Sequence, residues 1–356
     1  PHYLCIIDGY PCARNSTQRK RLTKRDELLD SIAVNIGMVL VGLVALIWGA
    51  DRFVIGAGAM ARNLGVPTLL IGLTVVGIAT SAPEILVSIV AALNDQPDLA
   101  IGNALGSNIA NIALVLGATA VLKPIAVMSR TLQQEMPALL AVTLLAVALC
   151  LDLSLSRIDG LVMLTALVVV MYWIVRLGYR TNINDPIEAE YEAEIPKNMK
   201  MRVSAGWFGL GLAVLLVGAE LLVSGATTIA RGYGVSELVI GVTLVAIGTS
   251  LPELAVSLIS AMKGEQGLAI GNIIGSNMFN LLAVIGTAII IRPTTVAPEV
   301  LSLHFFVMIS LTLVLFAMAY NYSGAGRINR IEGTALLIAF VCYHFYVLSQ
   351  SFASAV

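Results

Sequence analysis

Runs of about twenty or more mostly apolar positions alternate with short polar breaks along nearly the whole chain. They fall at approximately 32–61, 66–93, 99–121, 132–151 and 157–177. Beyond a polar stretch at 178–203 they resume at 204–230, 235–262, 268–291, 299–319 and 331–349. Roughly 20 helical residues cross the ~30 Å hydrocarbon core of a bilayer, so the pattern predicts an all-α polytopic membrane protein with ten transmembrane helices. The interrupting stretch carries Asp185, Glu188, Glu190, Glu192 and Glu194 beside Lys197, Lys200 and Arg202 and reads as a solvated linker. Residues 1–31 differ from everything after them, with Arg14, Arg19, Lys20, Arg21, Lys24 and Arg25 crowded together. They are expected to form a disordered basic tail outside the folded unit, because the apolar run behind them is too long for a signal-peptide core.

The two sets of five spans repeat one another. Residues 49–124 align without gaps on 218–293 at an offset of 169, with 34 identities in 76 positions. That similarity at a fixed period marks an internal duplication. It divides the chain into a first repeat, 32–177, the linker, 178–203, and a second repeat, 204–356. Each copy holds an odd number of spans, so the second enters the membrane from the opposite side and the two five-helix repeats are inverted. Inverted repeats recur in secondary transporters, whose substrate site lies near mid-membrane where the copies meet.

Composition excludes a water-soluble reading: 12% of residues are charged and 58% are hydrophobic, where a soluble chain carries about 25% charged residues. The net charge of −1 offers no basic surface for nucleic acid. Four cysteines without CxxC or His–Cys clustering signal neither a disulfide framework nor zinc. The isolated His304 and His344 are expected in packing or interfacial positions. Leaving the tail aside, eleven loop cations lie on one side, Arg62, Lys123 and Lys263 among them, against Arg157, Arg231 and Arg292 on the other. The positive-inside rule then puts the linker in the cytoplasm and both termini outside. The six cations of the tail run against this rule, which sets the tail apart from the rest.

The chemistry lies inside the spans. The second reads Gly77-Ile-Ala-Thr80-Ser81-Ala-Pro83-Glu84 and the seventh Ala246-Ile-Gly-Thr249-Ser250-Leu-Pro252-Glu253. A carboxylate at the centre of a span costs about 2.5–3.5 kcal/mol on permissive insertion scales, and no Lys, Arg or His in either motif offsets it. A proton or a bound cation is left to do so. Pro83 and Pro252 disturb the carbonyls around Ala79 and Gly248, and such non-helical backbone at membrane depth must be buried in protein or line a wet cavity. Thr80 with Glu84, and Thr249 with Glu253, share a helical face at i, i+4. The following spans read Gly102-Asn103-Ala-Leu-Gly106-Ser107-Asn108-Ile-Ala-Asn111 and Gly271-Asn272-Ile-Ile-Gly275-Ser276-Asn277-Met-Phe-Asn280. Ser107 with Asn111, and Ser276 with Asn280, repeat the spacing as neutral oxygen ligands. Together these groups make a hard ligand set suited to calcium or sodium, whose two negative charges one divalent ion cancels. Two bland roles stand beside this one: hydroxyls bonded back to their own helix, and a protonated, hydrogen-bonded glutamate pair. The GxxxG glycines, 102 with 106 and 271 with 275, are expected to serve helix packing. Asp51 and Glu220, equivalent at the same offset, are expected to line a cavity or pair with other charges.

The paired TS-x-PE and GSN-xx-N segments resemble the two α-repeats of the calcium/cation antiporter superfamily, and within it the prokaryotic sodium/calcium exchangers. The resemblance covers nearly everything from residue 32 onward. It implies ten helices, a central site and exchange of calcium against sodium across a prokaryotic plasma (inner) membrane. It implies no enzymatic activity, no cofactor, no nucleic acid and no obligate protein partner; the ligands are the transported ions and the surroundings are the lipid bilayer. By position, Glu84 and Glu253 would be the shared acidic ligands. Thr80, Ser81, Ser107, Asn111, Thr249, Ser250, Ser276 and Asn280 would complete the sites, and the backbone carbonyls of Gly77 and Ala246 would serve sodium. Asn280 departs from family members that carry aspartate there, which leaves proton-coupled or potassium-dependent exchange as the alternative. A magnesium- or manganese-selective antiporter, a cation channel and an intramembrane hydrolase with a glutamate acid–base pair are further rivals; no Ser–His or Cys–His set supports the last.

Overall fold

The computed structural model describes residues 13–66, 68–127, 130–178, 199–233, 246–319 and 326–353. The first half contains α1 (Ala13–Leu64), α2 (Thr68–Thr80), α3 (Ala82–Leu93), α4 (Pro97–Leu122), β1 (Ile125–Val127), α5 (Arg130–Cys150), β2 (Ser154–Leu155) and α6 (Arg157–Gly178). The second contains α7 (Met201–Gly232), α8 (Ala246–Thr249), α9 (Leu251–Met262), α10 (Gln266–Ile291), β3 (Thr294–Thr295), α11 (Val300–Ala319), β4 (Gly326–Ile328) and α12 (Arg330–Ala353).

Residues 13–31 of the expected tail extend α1 backward without a break. No Gly or Pro lies between Ala13 and Asn35. Lys, Arg, Leu and Gln are good helix formers, and prolonging an anchored helix avoids the cost of nucleating a new one. Residues 1–12 and most of the linker, 179–198, lie outside the described residues. Seven described helices, α1, α4, α6, α7, α10, α11 and α12, are long and apolar enough to cross a membrane. The bent pair α2 and α3 makes an eighth. The apolar part of α5, Glu135–Cys150, and α9 are shorter, and 234–245, most of the first half of the expected seventh span, lies outside the described residues.

Burial sorts these helices into layers. The apolar window of α10 is 89% buried and that of α4 72%, whereas α6 and α12 are only 17% buried. Helices α4 and α10 therefore form the centre, and the exposed apolar side chains of α6 and α12, such as Val168 and Phe345, sit where lipid would lie. Each central helix contains a π-helical stretch, Asn111–Leu116 in α4 and Asn280–Val284 in α10, beginning at residues related by the 169 offset. Two small antiparallel ladders cross-link the halves. Strand β1 pairs with β4, setting Ile125 opposite Ile328, and β3 pairs with β2, setting Thr295 opposite Ser154.

Helices α1 and α7 pack along a seam of glycines. Gly42, Gly49 and Gly56 face α7, while Gly211, Gly218 and Gly225 face α1; within each set the spacing is seven and between the sets it is 169. A Cβ added at Gly49 would stand 2.5 Å from the amide nitrogen of Leu215, and one at Gly218 2.5 Å from that of Leu46. Real side-chain carbons do not approach backbone so closely, so the two helices touch main chain to main chain, as small residues permit between membrane helices. Gly271 and Gly275 behave as expected of packing glycines: the space beside them is filled by the carbonyls of Leu69 and Leu73 on α2. Nothing described lies within 4 Å of where a Cβ of Gly102 or Gly106 would stand; the segment 238–242, which would match α2 there, is outside the described residues.

Candidate functional site

Both glutamates enter the interior on the first turn of a half-helix. The chain breaks at Ser81 (φ −80°, ψ 3°) and Ser250 (φ −87°, ψ 4°), and α2 meets α3 at 41°. The cause is local. Pro83 and Pro252 lie at the second positions of α3 and α9 and cannot donate to the carbonyls of Ala79 and Gly248. Glu84 and Glu253 thus become the third residue of a new helix, where the partial positive charge of the helix N-terminus favours an anion.

Nine of the predicted ligands, Glu84, Glu253, Thr80, Ser81, Ser107, Asn111, Ser250, Ser276 and Asn280, are at most 3% exposed, so bulk water does not neutralise the carboxylates. Ser81 donates to Glu253 Oε1 at 3.3 Å and Ser276 to the same oxygen at 3.5 Å. The hydroxyls of Thr80 and Ser276 lie 3.3 Å apart. The first repeat thereby reaches the glutamate of the second. Thr249 and Ser107 lie beside Glu84, and Glu253 is within electrostatic reach of it, but neither oxygen of Glu84 has a hydrogen-bond partner of good geometry. The carbonyl of buried Gly77 accepts the Ser81 amide at 3.1 Å and the Thr80 hydroxyl at 3.4 Å. Ala246 opens α8 at the matching break; its side chain is outside the described residues.

Buried polar atoms without partners gather in these motifs: both oxygens of Glu84, Oε2 of Glu253, Oγ of Ser250, Oδ1 of Asn111 and both amide atoms of Asn280. Buried oxygens left unpaired cost free energy, and two buried carboxylates together cost at least about 5–7 kcal/mol at membrane depth. Carboxylate, hydroxyl and amide oxygens are the ligand types of hard cations, so the donor set fits a calcium or sodium ion. Among the described residues no group of three or more His, Cys, Asp or Glu could hold a metal, so neutral oxygens must complete any coordination here.

Four asparagines of the site are not among the predicted ligands. Asn103 donates to the Glu84 carbonyl and to Ser88 Oγ, both at 3.2 Å, and Asn272 donates to the Glu253 carbonyl at 3.3 Å and to Ser257 Oγ at 3.0 Å. At the crossing of α4 and α10, Asn108 donates to the Asn277 carbonyl and Asn111 to Asn277 Oδ1, each at 3.2 Å. Their signal is present in the sequence: each is identical to its partner 169 residues away. Glu135 on α5 is a third fully buried carboxylate with no hydrogen-bond partner, and it lies outside the repeated motifs. Asp51 pairs with Lys263 at 2.8 Å, whereas Glu220 is exposed. His304 Nδ1 lies 2.7 Å from the Tyr343 hydroxyl, a packing position as expected.

The profile described as sodium/calcium exchanger protein matches residues 34–176 and 203–349, which takes in both halves and every residue of the site. The chain belongs to the sodium/calcium exchanger family. Relatives in this family include CaxA of Alkalimonas amylolytica, named as a candidate antiporter, 50% identical over 88% of this chain and 98% of that protein. The sodium/calcium exchanger MaX1 of Methanosarcina acetivorans is 31% identical over 89% of this chain and its own full length. Among solved structures, the sodium-calcium exchanger NCX_Mj soaked with sodium and strontium ions superposes with a TM-score of 0.76 at 36% identity, covering 87% of this chain and 97% of that one. The family and these neighbours are transporters of cations, and the chain is a cation antiporter of the membrane.

Proposed function

We propose that this antiporter exchanges calcium for sodium through the oxygen cluster around Glu84 and Glu253. The observation that carries the reading is that both carboxylates, one from each half, are fully buried beside buried oxygens that have no hydrogen-bond partner among the described residues. One calcium ion or several sodium ions occupy overlapping ligands. An empty site leaves two buried charges and disfavours an occluded intermediate, whereas either load offsets them and permits the switch of access. That difference enforces exchange over leak.

The ten spans form two inverted five-helix repeats, with the linker cytoplasmic, both termini outside and the protein in a prokaryotic inner membrane. Contacts between helix ends support this arrangement. Arg62 pairs with Glu265 at 3.5 Å, Lys123 reaches the Met262 carbonyl at 3.1 Å, and Ala126 donates to Gln266 at 2.7 Å. These residues all lie on the side that loop charge makes cytoplasmic. Asp95 pairs with Arg292 at 3.0 Å and Thr294 reaches Asp98 at 3.4 Å on the other.

The test is calcium uptake into sodium-loaded proteoliposomes. Wild type is expected to accumulate calcium down the sodium gradient, and Glu84→Gln and Glu253→Gln to lose uptake by about a hundredfold or more. Wild-type uptake by either variant removes that residue from the site. Asn280, an amide where a third carboxylate could stand, favours one second reading: coupling to potassium or protons. Uptake driven equally well by a potassium or pH gradient without sodium would establish it.

A further inference from the structure

We propose that Asn272 is a positioning residue that takes up the hydroxyl proton of Thr80 and so turns the lone pairs of that hydroxyl toward the transported ion. The inference rests on the ion-site reading above. A hydroxyl has one hydrogen and two lone pairs, and it can ligate a cation only through the oxygen, with the hydrogen aimed elsewhere. Asn272 Oδ1 at 3.0 Å is nearer to Thr80 Oγ1 than Ser276 Oγ at 3.3 Å or the Gly77 carbonyl at 3.4 Å, and the Glu253 carboxylate also lies beside this hydroxyl. The usual sink for a helical threonine is a carbonyl of its own preceding turn, and here that contact is 0.4 Å longer than the one to Asn272.

The amide of Asn272 is oriented by its other neighbours. Its nitrogen lies 3.3 Å from the Glu253 carbonyl and 3.0 Å from Ser257 Oγ. A carbonyl only accepts, so the NH2 group must face it and the oxygen must face Thr80. The residue is fully buried, so no water competes for the bond. The same double clamp recurs at Asn103, which holds the Glu84 carbonyl and Ser88. Through Asn272 a ligand of the first half is therefore set by the residue that grips the glutamate-bearing turn of the second.

The experiment is a double-mutant cycle on calcium uptake into sodium-loaded proteoliposomes, using Asn272→Leu, Thr80→Val and the pair, with KM and the maximal rate read separately. Losing one buried hydrogen bond corresponds to about a tenfold effect. Asn272→Leu is expected to raise the calcium KM about tenfold or more, with the maximal rate per folded protein within about threefold of wild type. In the Thr80→Val background the same substitution should raise KM by a factor about ten times smaller, because loss of the clamp on Glu253 is common to both backgrounds and cancels. Thr80→Ser, which keeps the hydroxyl, should restore the full effect of Asn272→Leu. Equal factors in the two backgrounds, or a fall in maximal rate with KM unchanged, overturn the proposal. If Asn272→Leu does not yield monodisperse protein, Asn272→Ser, too short to reach Thr80, takes its place in the cycle. Glu253→Gln is measured alongside. Wild-type uptake by that variant defeats the ion-site reading itself, whereas an inactive Glu253→Gln with equal factors in the cycle removes only the role of Asn272.

Discussion

Glu84 and Glu253 stand in identical sequence motifs and in unlike surroundings. Around Glu253 two hydroxyls, one from each half, converge on a single oxygen; Thr249 and Ser107 lie beside Glu84, but neither of its oxygens has a hydrogen-bond partner of good geometry among the described residues. The serines at the helix breaks differ in the same sense: Ser81 reaches across to Glu253, whereas the hydroxyl of Ser250 has no hydrogen-bond partner among the described residues.

The largest effect that tests the comparison concerns ligand-linked stability. Calcium at a hundred times its dissociation constant should stabilise the detergent-solubilised protein by about 2.7 kcal/mol, read as a rise in melting temperature. Glu84→Gln and Glu253→Gln should both abolish the rise. If only one does so, the two carboxylates do not share an ion.

Next is the packing of α10 on α2. Gly275→Ala drives a methyl into the Leu73 carbonyl and is expected to destabilise by about 1–3 kcal/mol, the usual range for overpacking. Wild-type thermal unfolding of this variant would show that α10 does not abut α2 there.

A smaller effect separates the two serines at the helix breaks. Ser81 donates to Glu253, whereas Ser250 Oγ has no hydrogen-bond partner. Ser81→Ala should therefore raise the calcium KM roughly fivefold, within the range for one ordinary hydrogen bond, whereas Ser250→Ala should raise it through loss of an ion-facing oxygen and not of a hydrogen bond to the carboxylate. The smallest effect is at the surface. Arg292 and Asp95 pair at 3.0 Å on largely exposed side chains, and Arg292→Gln should alter stability by less than about 0.5 kcal/mol.

Much of this was legible in the chain. Apolar runs mark the spans, and the 169-residue offset marks the duplication. The proline immediately before each glutamate announces the helix break, because a residue without an amide hydrogen has that effect in any fold. Other features were not legible. The spacing of Asn272 in its helix does not reveal that it faces Glu253, Ser257 and Thr80 at once, since those partners come from two other helices. The basic residues 13–31 read as a tail because their charge resists burial, yet helix propensity and attachment to α1 suffice to order their backbone. Nor does Glu135, with no repeated motif around it, announce its burial.

The ligand chemistry, its duplication and the points where the helices break were determined by the sequence alone, since they depend on residue type and local backbone geometry. Which hydroxyls meet each glutamate, how α1 and α7 touch along their glycines and how the halves clasp through β1 with β4 and β2 with β3 were decided only by the tertiary structure. The physical reason is range: hydrogen bonds and close packing act over a few ångströms, between residues up to about two hundred positions apart in the chain.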